Sequence, residues 1–256
     1  MLTLVLSLAP RRAREGRYDA PTLMEISLVD LLAKTALFRG LPRADLEALA
    51  GRARSHRAAR GDVLFREADP ADRVGVVVSG RLKLVQVSAD GREVIVRLVG
   101  QGGLFGAVAL FEDAVYPASV VAMAESEALL WAGADLRAVM HETPVLALNA
   151  LRLLAGRLGR MQERVRELTT ERVERRIARA VLRLVRHAGR RTEEGVEIDM
   201  LVTRQEIAEL TGTTLFTVSR TLSTWEEAGM IRTGRQRVVV LRPHALVALA
   251  EDLPKQ

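Results

Sequence analysis

Residues 203–225 read TRQEIAELTGTTLFTVSRTLSTW, and this stretch decides how the C-terminal part of the chain folds. Thr203-Arg204-Gln205-Glu206 has capping-box spacing, with Thr203 as the N-cap and Glu206 three residues on, able to reach back. Ile207 and Leu210 give that short helix an inner face, and Thr211-Gly212-Thr213 is a tight turn. A second helix begins near Thr214 and ends before Gly229. On it Val218, Leu222 and Trp225 share one face and are expected to be buried. Phe216, Ser219, Arg220 and Ser223 recur at i, i+3, i+4 and i+7 on the other face. A helix with one buried stripe, one polar-basic stripe and a positive N-terminus suits entry into a DNA major groove, with Arg220 aimed at guanine O6 and N7. Ile231, the basic run Arg232-Thr233-Gly234-Arg235-Gln236-Arg237 and the apolar run Val238-Val239-Val240-Leu241 then read as strand, turn, strand. That is a wing able to touch backbone phosphates. The candidate DNA-contact residues are Thr203, Arg204, Thr214, Leu215, Phe216, Thr217, Ser219, Arg220, Arg235 and Arg237.

Upstream, a helix runs to about Gly189, with Val173, Ile177, Val181 and Leu184 on one face and Gly189 suited to the C′ position. Residues 190–199 are charged and turn-like. Before them, Leu151, Leu154, Leu158, Met161, Val165 and Leu168 recur at spacings of three and four, the pattern of an a/d seam. At 1.5 Å rise per residue the seam spans roughly 25 Å. One reading is an amphipathic helix packed on its own domain. The charges flanking the seam (Arg157, Arg160, Glu163, Arg164 and Glu167) favour a dimer interface. Thr169-Thr170-Glu171 allows a hinge.

Residues 60–136 change period. Short β-branched runs such as Val76-Val77-Val78 and Val94-Ile95-Val96 are punctuated by glycines, and Asp90-Gly91 between two runs signals a hairpin. Many short strands with frequent turns read as a β-roll or jelly roll. Residues 25–59 read as helical, with Leu31, Leu32, Leu46 and Leu49 at helical spacing. The expected organisation is therefore α+β. A disordered leader (1–24) precedes an antiparallel β-roll sensor domain (25–136), a long dimerisation helix (137–168) and a winged helix-turn-helix domain (169–250). Met24 is a second candidate start.

Composition bounds the function. The 256 residues are 48% hydrophobic and 27% charged, enough to bury a core. Cysteine is absent, which removes disulfides, thiolate zinc sites, cysteine-ligated iron–sulfur clusters and cysteine nucleophiles. It also fits a reducing, cytoplasmic compartment. The net charge of +6 is carried almost wholly by arginine, since only Lys34, Lys83 and Lys255 are lysines. Arginine suits bidentate phosphate and guanine contacts, although a GC-rich genome would also enrich it. No apolar run is long enough to span a membrane. Residues 60–136 contain no histidine, so a cupin-like metal enzyme has no ligand set on its strands. No metal site and no catalytic residue is expected.

At these residues the sequence resembles the cyclic-AMP receptor protein / fumarate–nitrate-reduction regulator family of bacterial transcription factors. The resemblance covers about residues 30–241. It rests on Gly61-Asp62-Val63-Leu64-Phe65, the run from Val77 to Gly80, Asp90-Gly91-Arg92-Glu93, Gly102 to Gly106, Leu110-Phe111, Thr203 to Ile207 and Thr217-Val218-Ser219-Arg220. It implies an effector-binding β-roll, a dimer on a palindromic site in double-stranded DNA, and contact with RNA polymerase. The sequence departs from the family's cyclic-nucleotide pattern. The ribose-binding glutamate is replaced by Ala107, the phosphate-binding arginine and small hydroxyl residue by Pro117 and Ala118, and the base-contacting polar residues by Met161 and Gln162. The family's DNA-reading glutamate is replaced by Phe216.

From Leu98 to Leu136 there is no Lys, Arg or His, while Glu112, Asp113, Glu125, Glu127 and Asp135 are present. A buried phosphate needs a partner charge, so cyclic AMP is disfavoured as effector unless a base from elsewhere serves. What remains is an apolar effector pocket around Gly106, Ala107, Val108, Tyr116, Pro117, Ala118, Met161 and Gln162. It can take a neutral ligand, a haem with one of His56, His141, His187 or His244 as axial ligand, or nothing. The competing readings are a haem- or nitric-oxide-responsive regulator, an effector-independent regulator and a ligand-binding signalling module without DNA binding. The last predicts no basic wing, which this sequence has.

Overall fold

The run Val74-Gly75-Val76-Val77-Val78 is buried on both sides of its strand. Val74, Val76 and Val78 point into one apolar cluster and Val77 into another, which is why the run is continuous rather than alternating. The computed structural model describes residues 15–16, 28–88, 91, 93–234 and 236–252. In chain order the elements are β1 (Glu15–Gly16), α1 (Leu28–Lys34), α2 (Arg43–Arg52), β2 (Arg54–Ala58), β3 (Val63–Phe65), β4 (Arg73–Ser79), β5 (Leu82–Val87), β6 (Glu93–Val99), β7 (Leu104–Phe105), β8 (Ser119–Ala122) and β9 (Ser126–Ala132). They continue with α3 (Gly133–Glu142), α4 (Pro144–Thr170), α5 (Val173–Ala188), β10 (Gly189–Arg191), β11 (Val196–Ile198), α6 (Arg204–Thr211), α7 (Leu215–Glu227), β12 (Ile231–Gly234), β13 (Arg237–Val240) and α8 (Pro243–Glu251).

The described residues fall into two compact units, those within 1–86 and 98–153, and those within 87–97 and 154–256. The first holds a sheet ordered β1-β2-β9-β4-β7. The strands of a second sheet follow the order β3-β8-β5-β6. Phe65, Val77, Leu82, Phe105, Val120 and Leu130, drawn from both sheets, share one core. On the other side of β4 and β9, Leu32, Phe38, Leu46 and Leu49 pack with Trp131, Leu136 and Leu146. Trp131 Nε1 donates to Leu49 O at 2.8 Å, and Asn149 Nδ2 donates to Leu37 O and Arg39 O, satisfying buried polar groups. In the second unit α5 packs on α6 and α8. Beside them lies a four-stranded sheet ordered β10-β11-β13-β12. The architecture is α+β, with antiparallel sheets preceding a C-terminal helix-turn-helix.

Several expectations need correction. Residues 54–58, read with the helical block, form β2, because pairing with β9 over five positions outweighs a polar local sequence. The single helix expected over 137–168 is two, α3 and α4. Pro144 starts α4, where its missing N–H is an orphan anyway. Gly189 is not left-handed but extended (φ −77°) and opens β10. It must be small because a Cβ there would meet Val185 O at 2.4 Å. The turn-like segment 190–199 is the β10–β11 hairpin, fixed by pairing with β13. The seam helix runs to Thr170, and the division between units falls inside it. Of the expected leader, Glu15–Gly16 pairs with β2 and the rest lies outside the described residues. Asp90 also lies outside them. The turn there is seen at Gly91, whose N–H donates to Ser88 O at 2.8 Å.

Candidate nucleic-acid interface

The reciprocal cap expected at residue 203 is present. Thr203 Oγ1 accepts from Glu206 N at 3.0 Å, and Glu206 Oε2 accepts from Thr203 N at 2.8 Å. Ile207 and Ala208 bury the inner face of α6, and Thr211 closes it by donating to Ile207 O at 2.7 Å. Gly212 turns the chain with φ +62°, a conformation that costs glycine nothing. Thr214 caps α7 by accepting from Thr217 N at 3.2 Å.

Val218, Leu222 and Trp225 are at most 2% exposed, and Trp225 Nε1 donates to Glu174 Oε1 of α5 at 3.1 Å. This fixes the rotation of α7 about its axis. The opposite face is open. Leu215 is 47% and Phe216 73% exposed, Arg220 and Ser223 are exposed, and Thr217 and Ser219 are half-buried. The Arg220 side chain makes no hydrogen bond or ion pair among the described residues. The first turn of α7 contains no acidic residue to occupy its positive end.

The wing is differently arranged than its sequence suggests. Gly234 pairs with Arg237, so the β12–β13 hairpin closes on two residues. Arg235 lies outside the described residues, and Gln236 takes φ +58°. Arg237 Nε donates to Glu197 of β11, which also accepts from Arg190 at 3.0 Å, and Arg232 pairs with Glu194. Hydrogen bonding to Arg237 holds the Glu197 carboxyl below the usual carboxylate range. Arg204 is only half-buried, but its Nη2 donates to Thr233 Oγ1 at 3.3 Å. Thr233 in turn donates to both Glu226 oxygens at 2.7 Å. Arg204 thus ties α6 to the wing, and Thr233 ties the wing to the end of α7. Glu194 and Glu197 were missed because nothing local in residues 190–199 shows that this segment lies beside β13.

The link between α4 and α5, where a hinge was expected, is strapped by ions. Buried Glu167 accepts from Arg183 at 3.2 Å, and Arg179 lies 3.3 Å from buried Glu171. Arg176 donates to the Glu171 and Thr211 carbonyls. Along α4, Leu151, Leu158, Met161, Val165 and Leu168 are 43% to 66% exposed, whereas Leu154 is half-buried.

The expected effector pocket is less open. Tyr116 is 3% exposed, stacked on Phe65 at 4.4 Å, and its hydroxyl donates to Arg73 O at 2.9 Å. Ala107 and Ala118 are buried, Val108 is half-buried and Pro117 exposed. Gly106 caps a 3₁₀ turn in the left-handed region, and Met161 and Gln162 are exposed on α4. A cavity of about 660 Å³ in the first unit is lined elsewhere, by Arg52, Arg54, Arg73, Asp135 and Arg137 among others. One feature escaped the sequence reading by a single residue. Arg97 sits just before the window without basic residues, near Arg157 and Arg160 of α4. Burial, then these two charges, pull its guanidinium down to about 10. Among the described residues no three His, Cys, Asp or Glu side chains gather as a metal site.

Residues 55–143 match the cyclic nucleotide-binding domain family and residues 175–249 the Crp-like helix-turn-helix domain family. The chain is 30% identical to the Cyclic AMP receptor protein of Thermus thermophilus, over 85% of this chain and 97% of that one. It is 27% identical to the CRP-like cAMP-activated global transcriptional regulator of Mycobacterium tuberculosis, over 82% and 94%. Among solved structures, a CRP-family transcriptional regulator from Thermus thermophilus superposes with a TM-score of 0.66 at 29% identity, covering 76% of this chain and 96% of that one.

Proposed function

We propose a mechanism from the premise that the chain belongs to the CRP/FNR family of DNA-binding transcription regulators. Two copies join along the exposed apolar stripe of α4 and present two α7 helices to half-sites about 34 Å apart on a palindromic operator. Arg220 reads guanine. Leu215, Phe216, Thr217 and Ser219 line the groove-facing side with it. Thr203, Arg204, Thr214, Arg235 and Arg237 meet sugar-phosphate. The observation that carries this reading is the division of α7 into a fully buried stripe and an open stripe holding an unengaged arginine. The effector acts through the first unit and biases α4 and the ion-strapped link to α5, changing the presentation of α7.

The two relatives described above carry cyclic AMP in their names. Here Ala107, Pro117 and Ala118 stand where the nucleotide pattern needs a carboxylate, a cation and a hydroxyl, and we infer an effector other than cyclic AMP. The DNA partner places the protein in the cytoplasm, with RNA polymerase as a further partner.

The test is competition binding of operator and random DNA to the full chain. Arg220→Ala is expected to lose about 1–3 kcal/mol on the operator and to relax specificity at one base pair. An unchanged operator-to-random ratio overturns the assignment.

A further inference from the structure

Phe216 is 73% exposed on a helix whose opposite face is sealed. A phenyl ring left that open, at the mouth of the helix that enters the groove, is an unspent apolar surface. Its rotation is not free to change. Val218, Leu222 and Trp225 are buried to within 2%, and the Trp225–Glu174 hydrogen bond pins the far end of α7 to α5. At 100° per residue Phe216 stands 40° from Arg220 around the helix and about 6 Å from it along the axis. The two side chains therefore face the same surface, with Phe216 nearer the N-terminus. A phenyl ring offers base edges no hydrogen bond, so it cannot read cytosine or guanine as a carboxylate or guanidinium does. The major-groove feature that rewards an apolar contact is the C5-methyl of thymine. Leu215, the residue before it, is 47% exposed in the same first turn.

We propose that Phe216 is a specificity-determining residue that recognises a thymine methyl group, one or two base pairs from the guanine read by Arg220. This rests on the reading of α7 as the DNA-reading helix. The operator half-site then contains an obligatory A·T pair chosen by apolar contact. At that position no donor or acceptor of the protein is engaged, so the discrimination is against loss of the methyl rather than against a hydrogen-bond pattern.

The experiment begins with selection of bound duplexes from a random pool by the full-length chain. Each thymine of the selected half-site is then replaced in turn by deoxyuridine, which lacks only the methyl, and binding is followed by fluorescence anisotropy. One position in the half-site is expected to lose about fourfold, the scale of one buried methyl. Phe216→Ala should bind the thymine and deoxyuridine duplexes equally, and Phe216→Leu should keep part of the difference. Because the ring is exposed, both variants should melt as the wild type does, and Arg220-dependent guanine selection should persist in them. If deoxyuridine is tolerated at every thymine, the inference falls while the DNA-reading role of α7 stands, and Phe216 is reassigned to a protein contact. If the wild type enriches no sequence at all, the role of α7 falls and this inference with it.

Discussion

Glu197 accepts from two arginines at once, Arg237 of the wing and Arg190 of β10. A wing arginine already neutralised by a carboxylate must give up that partner before it can meet a phosphate. The basic run at 232–237 therefore attracts DNA less than its composition implies, because Arg232 is likewise held by Glu194. Glu197→Gln should release Arg237, tighten binding to operator and random DNA alike by several-fold, and steepen the salt dependence by up to about one counterion. Anisotropy titrations across a salt series measure both. Weaker binding would mean instead that Glu197 aims Arg237 at the backbone. Tyr116 makes a second prediction at this scale. Burial, with Asp72 beside the hydroxyl, pushes the phenol up to about 12. The unfolded chain ionises near 10, so this contribution to stability is whole below that pH and is lost as pH climbs toward 12. Tyr116→Phe should remove that alkaline loss, read as a flatter midpoint-versus-pH curve above pH 10, along with the tyrosinate absorbance step near 12.

Elements with a local signature were legible in the sequence, and those made by distant pairing were not. The α6 cap, the glycine turn and the buried stripe of α7 are set by residues within one or two turns, so spacing alone revealed them. β2 reads Arg54-Ser55-His56-Arg57-Ala58, with no apolar alternation to betray a strand, and exists because β9 pairs with it. The β10 residues are all exposed, and only the register with β11 defines them. The ion pairs that quieten the wing were invisible for the same reason. Within the candidate effector pocket, residue identity alone carried the expectation that Ala107, Pro117 and Ala118 depart from the cyclic-nucleotide pattern. It did not show that Tyr116 is a core residue stacked on Phe65. On α4 the apolar stripe was legible and the cost of its flanking charges was not. Arg157 and Arg160 are one turn apart, and burial and Arg160 together pull the Arg157 guanidinium down. Arg160→Gln should therefore raise stability in low salt by about 0.5 kcal/mol. The gain should fade in high salt as screening takes over, which paired urea titrations at the two salt levels would show.

For the whole molecule the decisive quantity is the apolar surface that one copy leaves in water. Leu151, Leu158 and Val165 recur every seven residues, as do Leu154, Met161 and Leu168, and all but Leu154 are at least 43% exposed. Single exposed leucines are ordinary, but a continuous stripe along one helix marks an association surface. A seam of this length is marginal alone, so association should be concentration-dependent and sensitive to a single buried charge. In the proposed dimer, Leu158→Glu places a carboxylate at the centre of the α4 stripe, opposite its own copy across the two-fold axis, where desolvation and like-charge repulsion act together. The expected outcome by sedimentation velocity is a dimer for the wild type and a monomer for the variant at the same concentration. Melting of the second unit should be unchanged, because Leu158 is already exposed in a single copy. Operator affinity should fall by at least about tenfold, while binding to a duplex carrying one half-site stays the same, since Arg220 and Phe216 are untouched. A Leu158→Glu protein that still sediments as a dimer would move the interface off α4. A wild type that sediments as one chain while holding a palindromic operator with full affinity would remove the two-fold arrangement from the mechanism altogether.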